Sequence, residues 1–215
     1  MDASAGVMKA RELGIKGRGS DERPRAVAKL VRKRLGQVRH ERRVAALAVA
    51  IFRLLSPLHG LGRRERSLLE LGALLHDIGR CRGARRHPVR GARLILKDQA
   101  LPLTDLERRA VAYMARYHRG RARVNSGGRL AYPGDSQAGL RLLAMLRLAD
   151  ALDCRRAPLR SLAIRWRGNQ LRVRCRVRPR HHSDVERKLH RSEGFRLLRQ
   201  TMGLRVVTCV EDCPS

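Results

Sequence analysis

Four stretches of this chain carry apolar residues at helical spacing, and each stripe includes an imidazole or a carboxylate where a leucine belongs. His40, Val44, Leu47 and Ile51 fall on one face of "HERRVAALAVAI". Leu69, Ala73 and His76 share a face in "LLELGALLHDIG", and Asp77 follows directly. Val111, Met114 and His118 repeat the pattern, as do Leu143, Leu146 and Asp150. An ionised carboxylate buried alone costs more than a folded domain can spare, so these groups must be neutralised, paired or bound to a cation. An arginine partner, or an ordinary structural role, would account for any one of them. The whole set, with His87 added from the loop before Pro88 and with no lysine or arginine on the same faces, points to a shared metal site. Imidazoles and carboxylates suit Mn, Fe(II), Co, Zn or, with more water, Mg. No pair among Cys81, Cys154, Cys175, Cys209 and Cys213 has the two-residue spacing of a zinc knuckle.

The rest of the helical pattern frames these stripes. "RPRAVAKLVRKRL", from Pro24, places Val27, Leu30, Val31 and Leu35 on one side. Ser56 and Pro57 end the helix that carries His40, and a second helix spans roughly Arg63 to Asp77, with Gly79 and Gly83 marking its exit. Pro88 favours a helix start beside His87. Thr104 followed by Glu107 has the spacing of a capping box. Residues 119 to 135 form a long loop. His181 and His182 are expected to be solvated.

From Leu159 the period falls to two. Leu162, Ile164 and Trp166, then Leu171, Val173, Cys175 and Val177, alternate with Arg165, Arg167, Arg172, Arg174, Arg176 and Arg178, while Gly168 and Asn169 supply a turn. The expected architecture is mainly α: a flexible basic arm over 1–21, a helical domain over 22–157 and a small α+β subdomain over 158–210. In that subdomain a hairpin precedes a helix near 184–202 and a strand near 204–209, and 211–215 form a tail.

The net charge is +30, and 43 of the 49 basic residues are arginine. A genome biased towards arginine codons would account for this as readily as selection for fork-shaped phosphate recognition. The charge directs attention to polyanionic partners and says nothing of the fold. Like charges facing one another across a hairpin repel. The six-arginine face therefore reads as a polyanion surface for RNA, polyphosphate or the phosphates of a long substrate, with a solvated face as the alternative. Aromatic residues make up only 3% of the chain, which argues against base stacking as the source of recognition. No signal or membrane-spanning stretch is evident, and the scattered cysteines fit a reduced, cytoplasmic setting.

The order His40, His76-Asp77, His87, His118, Asp150 resembles the H...HD...H...H...D pattern of HD-domain phosphohydrolases. "LHGLGRRERSLLELGALLHDIG", "LTDLERRAVAYMARYHRG" and "LRLADALD" more narrowly resemble the C-terminal HD region of the exopolyphosphatase/guanosine pentaphosphate phosphohydrolase (Ppx/GppA) family. The resemblance is strong over residues 36–156 and implies a helical HD-type domain with His40, His76, Asp77 and Asp150 around one divalent ion. In two-metal relatives Asp77 would bridge to a second ion held by His87 and His118. The resemblance also implies that His59, in "SPLHGLG", closes a helix connection. The family's N-terminal actin-like half, which carries its polyphosphate-cleaving site, has no counterpart in these 215 residues, so the expected chemistry is that of the HD site: hydrolysis of a phosphate ester or anhydride. Arg80, Arg119 and Arg121, just beyond ligand positions, are candidates to bind phosphate or are simply exposed arginines. Asp153 is a candidate to hydrogen-bond a ligand histidine, with helix capping or pairing to Arg156 as the alternative. A competing expectation is a non-catalytic basic module that binds polyphosphate, RNA or a guanosine alarmone.

Overall fold

A computed structural model describes residues 6–9, 22–122, 131–153 and 159–213. The chain is mainly α with a small α+β part, as expected. In order the elements are β1 (Gly6–Lys9), α1 (Glu22–Leu35), α2 (Arg39–Leu54), α3 (Ser56–His59) and α4 (Arg63–Leu75), then a 3-10 turn (Ile78–Arg82). Next come α5 (His87–Lys97), α6 (Asp105–Tyr117) and α7 (Ser136–Leu152), followed by β2 (Ser161–Arg167), β3 (Gln170–Val177), α8 (His182–His190), α9 (Glu193–Met202) and β4 (Arg205–Asp212).

The helix starts follow local chemistry. At α6 the Thr104 hydroxyl accepts from the Glu107 N–H at 3.4 Å, and the Glu107 carboxylate accepts from the Thr104 N–H at 2.9 Å, completing the expected capping box. Pro88 occupies the first turn of α5, where its missing N–H costs nothing. His59 does close its connection: its Nε2 lies 2.8 Å from the Phe52 carbonyl and its Nδ1 accepts from the Leu61 N–H.

In the helical layer α2 packs on α4 and α7, α4 packs on α6, and α5 packs on α6. Gly72 of α4 lets α6 come close, because a β-carbon there would fall 2.4 Å from Met114 Cε. The stripes identified above supply the core: Val44, Leu47, Ile51, Leu69, Ala73, Val111, Met114, Leu143 and Leu146 are all buried.

The sheet has the order β1-β2-β3-β4. β2 and β3 form the antiparallel hairpin the alternation predicts, turning at Gly168, whose φ of 55° suits glycine. β4 runs parallel to β3, which requires the α8–α9 crossover between them. Leu162, Ile164, Trp166, Leu171, Val173, Cys175 and Val177 face inward and join one core with the helices.

Three details differ from the sequence reading. Residues 184–202 are not one helix but two, broken around Ser192; Gly194 then brings α9 so close to α7 that a β-carbon would sit 2.8 Å from the Leu148 nitrogen. The last strand continues to Asp212, into the segment read as a tail, because the β3 ladder continues beside it. Gly6–Lys9, inside the stretch read as a flexible arm, pairs antiparallel with β2, whose outer edge would otherwise leave a row of backbone groups unpaired. Residues 1–5 and 10–21 of that stretch lie outside the described residues.

Candidate metal centre

The six residues singled out in the sequence meet at one place. His40 arrives from the first turn of α2, His76 and Asp77 from the end of α4, His87 from the start of α5, His118 from the cap of α6 and Asp150 from the last turn of α7. All are buried except Asp150, whose side chain is 15% exposed and marks the open side.

They form two clusters that share Asp77. In the first, His40 Nε2 lies 3.2 Å from His76 Nε2 and 3.3 Å from Asp150 Oδ1. In the second, His87 Nε2 lies 3.2 Å from His118 Nε2, and the two stand 3.0 and 3.4 Å from Asp77 Oδ1. The other oxygen of Asp77, Oδ2, is 3.8 Å from both His40 Nε2 and His76 Nε2. Each cluster brings ligand atoms of three side chains close enough to hold a metal ion.

The opposite ring nitrogens settle the tautomers. His76, His87 and His118 each present Nδ1 to a backbone carbonyl three residues earlier, Ala73 at 2.7 Å, Ala84 at 2.7 Å and Ala115 at 2.8 Å. A carbonyl only accepts, so each Nδ1 carries its proton, and in the neutral form of the ring the Nε2 lone pair faces into the site. His40 does the same by donating from Nδ1 to Asp153 Oδ2. Two imidazole lone pairs 3.2 Å apart repel unless a cation lies between them. The donor set therefore fits divalent metal, with imidazole and carboxylate ligands backed by a second layer of acceptors.

Without an ion, the same ring nitrogens serve the carboxylates. Burial pushes the His76 imidazole down to about 4, so it is neutral at physiological pH. Burial acts to raise Asp77, but the imidazoles of His118 and His87 outweigh it and hold the carboxyl well below the usual range. For Asp150 burial is likewise opposed and overcome, by His40 first and then His76. Asp153 is held down against its own burial by His40 and by Arg43, whose Nε donates to Oδ1 at 2.6 Å.

The arginines divide. Arg80 Nε donates to Asp77 Oδ2 at 2.8 Å, and Arg119 lies 3.8 Å from Asp150 Oδ2. Both therefore stand at the carboxylates, and a carboxylate with about four lone-pair sites can serve a guanidinium and an ion together. Arg121 is exposed and makes none of the ion pairs of the site. Arg156, weighed as a partner of Asp153, lies outside the described residues.

Several contributors were missed in the sequence. Glu41, next to His40, is fully buried and offers an oxygen grouped with His40 and Asp77. It heads a stripe of its own, with Ala45, Ala48 and Phe52 at steps of four, three and four, all buried, and that spacing is the signal that could have marked it. Arg147, buried in α7, donates from Nε to the Tyr117 carbonyl at 2.9 Å and so closes the end of α6 beside His118. Lys188 of α8 donates to the carbonyls of Asp150 and Asp153, each at 3.0 Å, and closes the end of α7. No local pattern in the sequence sets these two cations apart from the many others.

A helical domain with a buried, two-lobed His/Asp centre is the class that fold and site define. Residues 23–175 match Ppx/GppA phosphatase, domain III, and the chain belongs to that phosphatase-related family. No curated protein matches the chain. Among the described residues no helix is long and apolar enough to cross a membrane.

Proposed function

We propose that the chain is a metal-dependent phosphohydrolase of the HD type, acting in a reduced cytoplasmic setting on a highly anionic phosphate substrate of nucleotide, alarmone or polyphosphate kind. The observation that carries this reading is the facing pair of Nε2 atoms, His40 with His76 and again His87 with His118, each at 3.2 Å beside a shared aspartate. His40, His76 and Asp150 would hold one divalent ion and His87 and His118 a second, with Asp77 between them. A divalent ion in such a site lowers the pKa of water towards neutrality, which supplies a nucleophile for a phosphate ester or anhydride.

The protein's own groups then do three things. The Nδ1 bonds to Ala73, Ala84, Ala115 and Asp153 keep the four rings in the ligand tautomer. The buried leucines of α4 and α7 anchor in the core the helix ends that carry His76 and Asp150. Arg80 and Arg119 each retain N–H groups beyond those facing the carboxylates and, being partly exposed, can receive phosphate oxygens at the mouth.

The test is metal analysis of the purified protein, then a phosphate-release screen over nucleotides, alarmones and polyphosphate, with His76→Ala and Asp77→Ala beside it. Stoichiometric metal and release abolished by both changes are expected. Release that survives both assigns the activity elsewhere. Tight polyanion binding with no release in any metal makes the chain a basic binding module instead.

A further inference from the structure

The outer face of the sheet is remote in sequence from the metal centre and has a chemistry of its own. Arg165 and Arg172 are register partners on adjacent strands, Arg174 and Arg176 continue the row along β3, and Arg205 begins β4 beside Gln170. Alternate residues on a strand are about 6.7 Å apart, so the arginines form a ladder rather than a cluster. Glu211 takes up Arg174 and Arg176, each at 3.0 Å. Arg165, Arg167 and Arg205 have no acidic partner among the described residues, and Arg172 meets only the Gln170 amide. Opposed like charges left unpaired destabilise a hairpin, so the face is built at a cost that an anion would offset.

A polyanion without apolar parts would use only the guanidiniums, yet the face offers more. Arg172, Arg174 and Arg205 rim a hollow of about 400 Å³ whose wall includes Val207 and Cys209. Val207 is 37% exposed, one of two large apolar side chains left in water among the described residues. Charge at phosphate-like intervals beside an apolar wall suits a chain that alternates phosphates with sugars and flat bases. Guanidinium planes can stack on bases where aromatic rings are lacking.

We infer that the outer face of the β2–β3–β4 sheet binds single-stranded nucleic acid, through its backbone and without sequence selection. The arginines take the phosphates, and Val207 lies against a sugar or base.

The probe is a fluorescent oligouridine of about 12 nucleotides, within the range a small sheet domain covers. Anisotropy is measured on the full chain in chelator, so that the metal centre plays no part. The triple change Arg165→Ala/Arg172→Ala/Arg205→Ala should weaken binding at least tenfold and flatten the slope of log affinity against log salt by about 2, at about 0.7 per lost phosphate contact. Removing three charges from the exposed side of α1, Lys29→Ala/Arg32→Ala/Lys33→Ala, should change affinity less than about twofold if the sheet is the site. Val207→Ser, which leaves the charge alone, should weaken oligouridine about fivefold while leaving polyphosphate binding unmoved. Should the triple variant fail to fold, Val207→Ser and the charge-keeping Arg172→Lys carry the test. Equal losses from sheet and α1 variants would show attraction by net charge alone. Polyphosphate displacing oligouridine at equal phosphate concentration, with Val207→Ser silent, would make the face a polyphosphate site; either result overturns the inference.

Discussion

Arg147 of α7 donates to the carbonyl of Tyr117, the last residue of α6, and so ties the helix that ends at His118 to the helix that carries Asp150. A buried guanidinium used this way fixes the relative height of two ligands drawn from different lobes of the centre. Arg147→Met keeps the bulk while taking from the Tyr117 and Gly120 carbonyls the donors that Arg147 supplies. We expect a loss of about 3 kcal/mol in urea unfolding. Weaker metal retention in a chelator competition should accompany it. An unchanged unfolding midpoint would show that water serves those carbonyls equally well.

Asp153 accepts from His40 Nδ1 and is itself held by Arg43. Replacing it with Asn leaves the shape but weakens the acceptor that fixes the ligand tautomer. Metal affinity should fall about 10- to 100-fold, with far less effect on thermal stability in chelator. Titration with a competing metal indicator separates the two quantities.

Gly79 is where the 3-10 turn after Asp77 touches α5. A β-carbon there would lie 2.2 Å from the His87 carbonyl oxygen and 2.5 Å from the Gly91 nitrogen, both backbone atoms that cannot swing aside. Gly79→Ala should cost about 1–3 kcal/mol as α5 is pushed away. Because His87 moves with α5, the ion shared by His87, His118 and Asp77 should be lost before the one at His40 and His76. Metal content per chain should drop towards half of the wild-type value.

Without metal, stability should fall with acidity through His76. Its folded value near 4 lies below the ordinary 6.5 because burial disfavours the charged ring. Between those values the unfolded chain takes up a proton that the native chain refuses, so stability is full above pH 6.5 and declines as pH drops towards 4. The decline is about 3 kcal/mol at most. Chelator-treated protein unfolded in urea at pH 7 and pH 4.5 measures it. His76→Leu, which has nothing to protonate there, should remove most of the difference.

Much of the centre was legible because burial and polarity conflict on the stripes. His40, His118 and Asp150 stand at leucine positions of well-formed helical repeats, and a conflict at fixed spacing can be read without coordinates. The β2–β3 hairpin was legible for the same reason, since alternation and a Gly-Asn turn agree. What escaped depends on partners distant in sequence. Arg147 and Lys188 close helix ends that no local pattern connects to them, and in a chain this rich in arginine a buried cation looks like any other. The break before α9 was hidden because Gly194 serves a contact with α7 rather than a turn. The pairing of Gly6–Lys9 depends on the free edge of a strand formed far downstream, which composition cannot register.

That pairing has a bearing on how the protein is made. Residues 6–9 leave the ribosome well before 161–167, with which they pair, and β4 joins the opposite border later still. The sheet is thus the slow, high-contact-order part of the molecule, while the helices that carry the ligands can settle during synthesis from nearer neighbours.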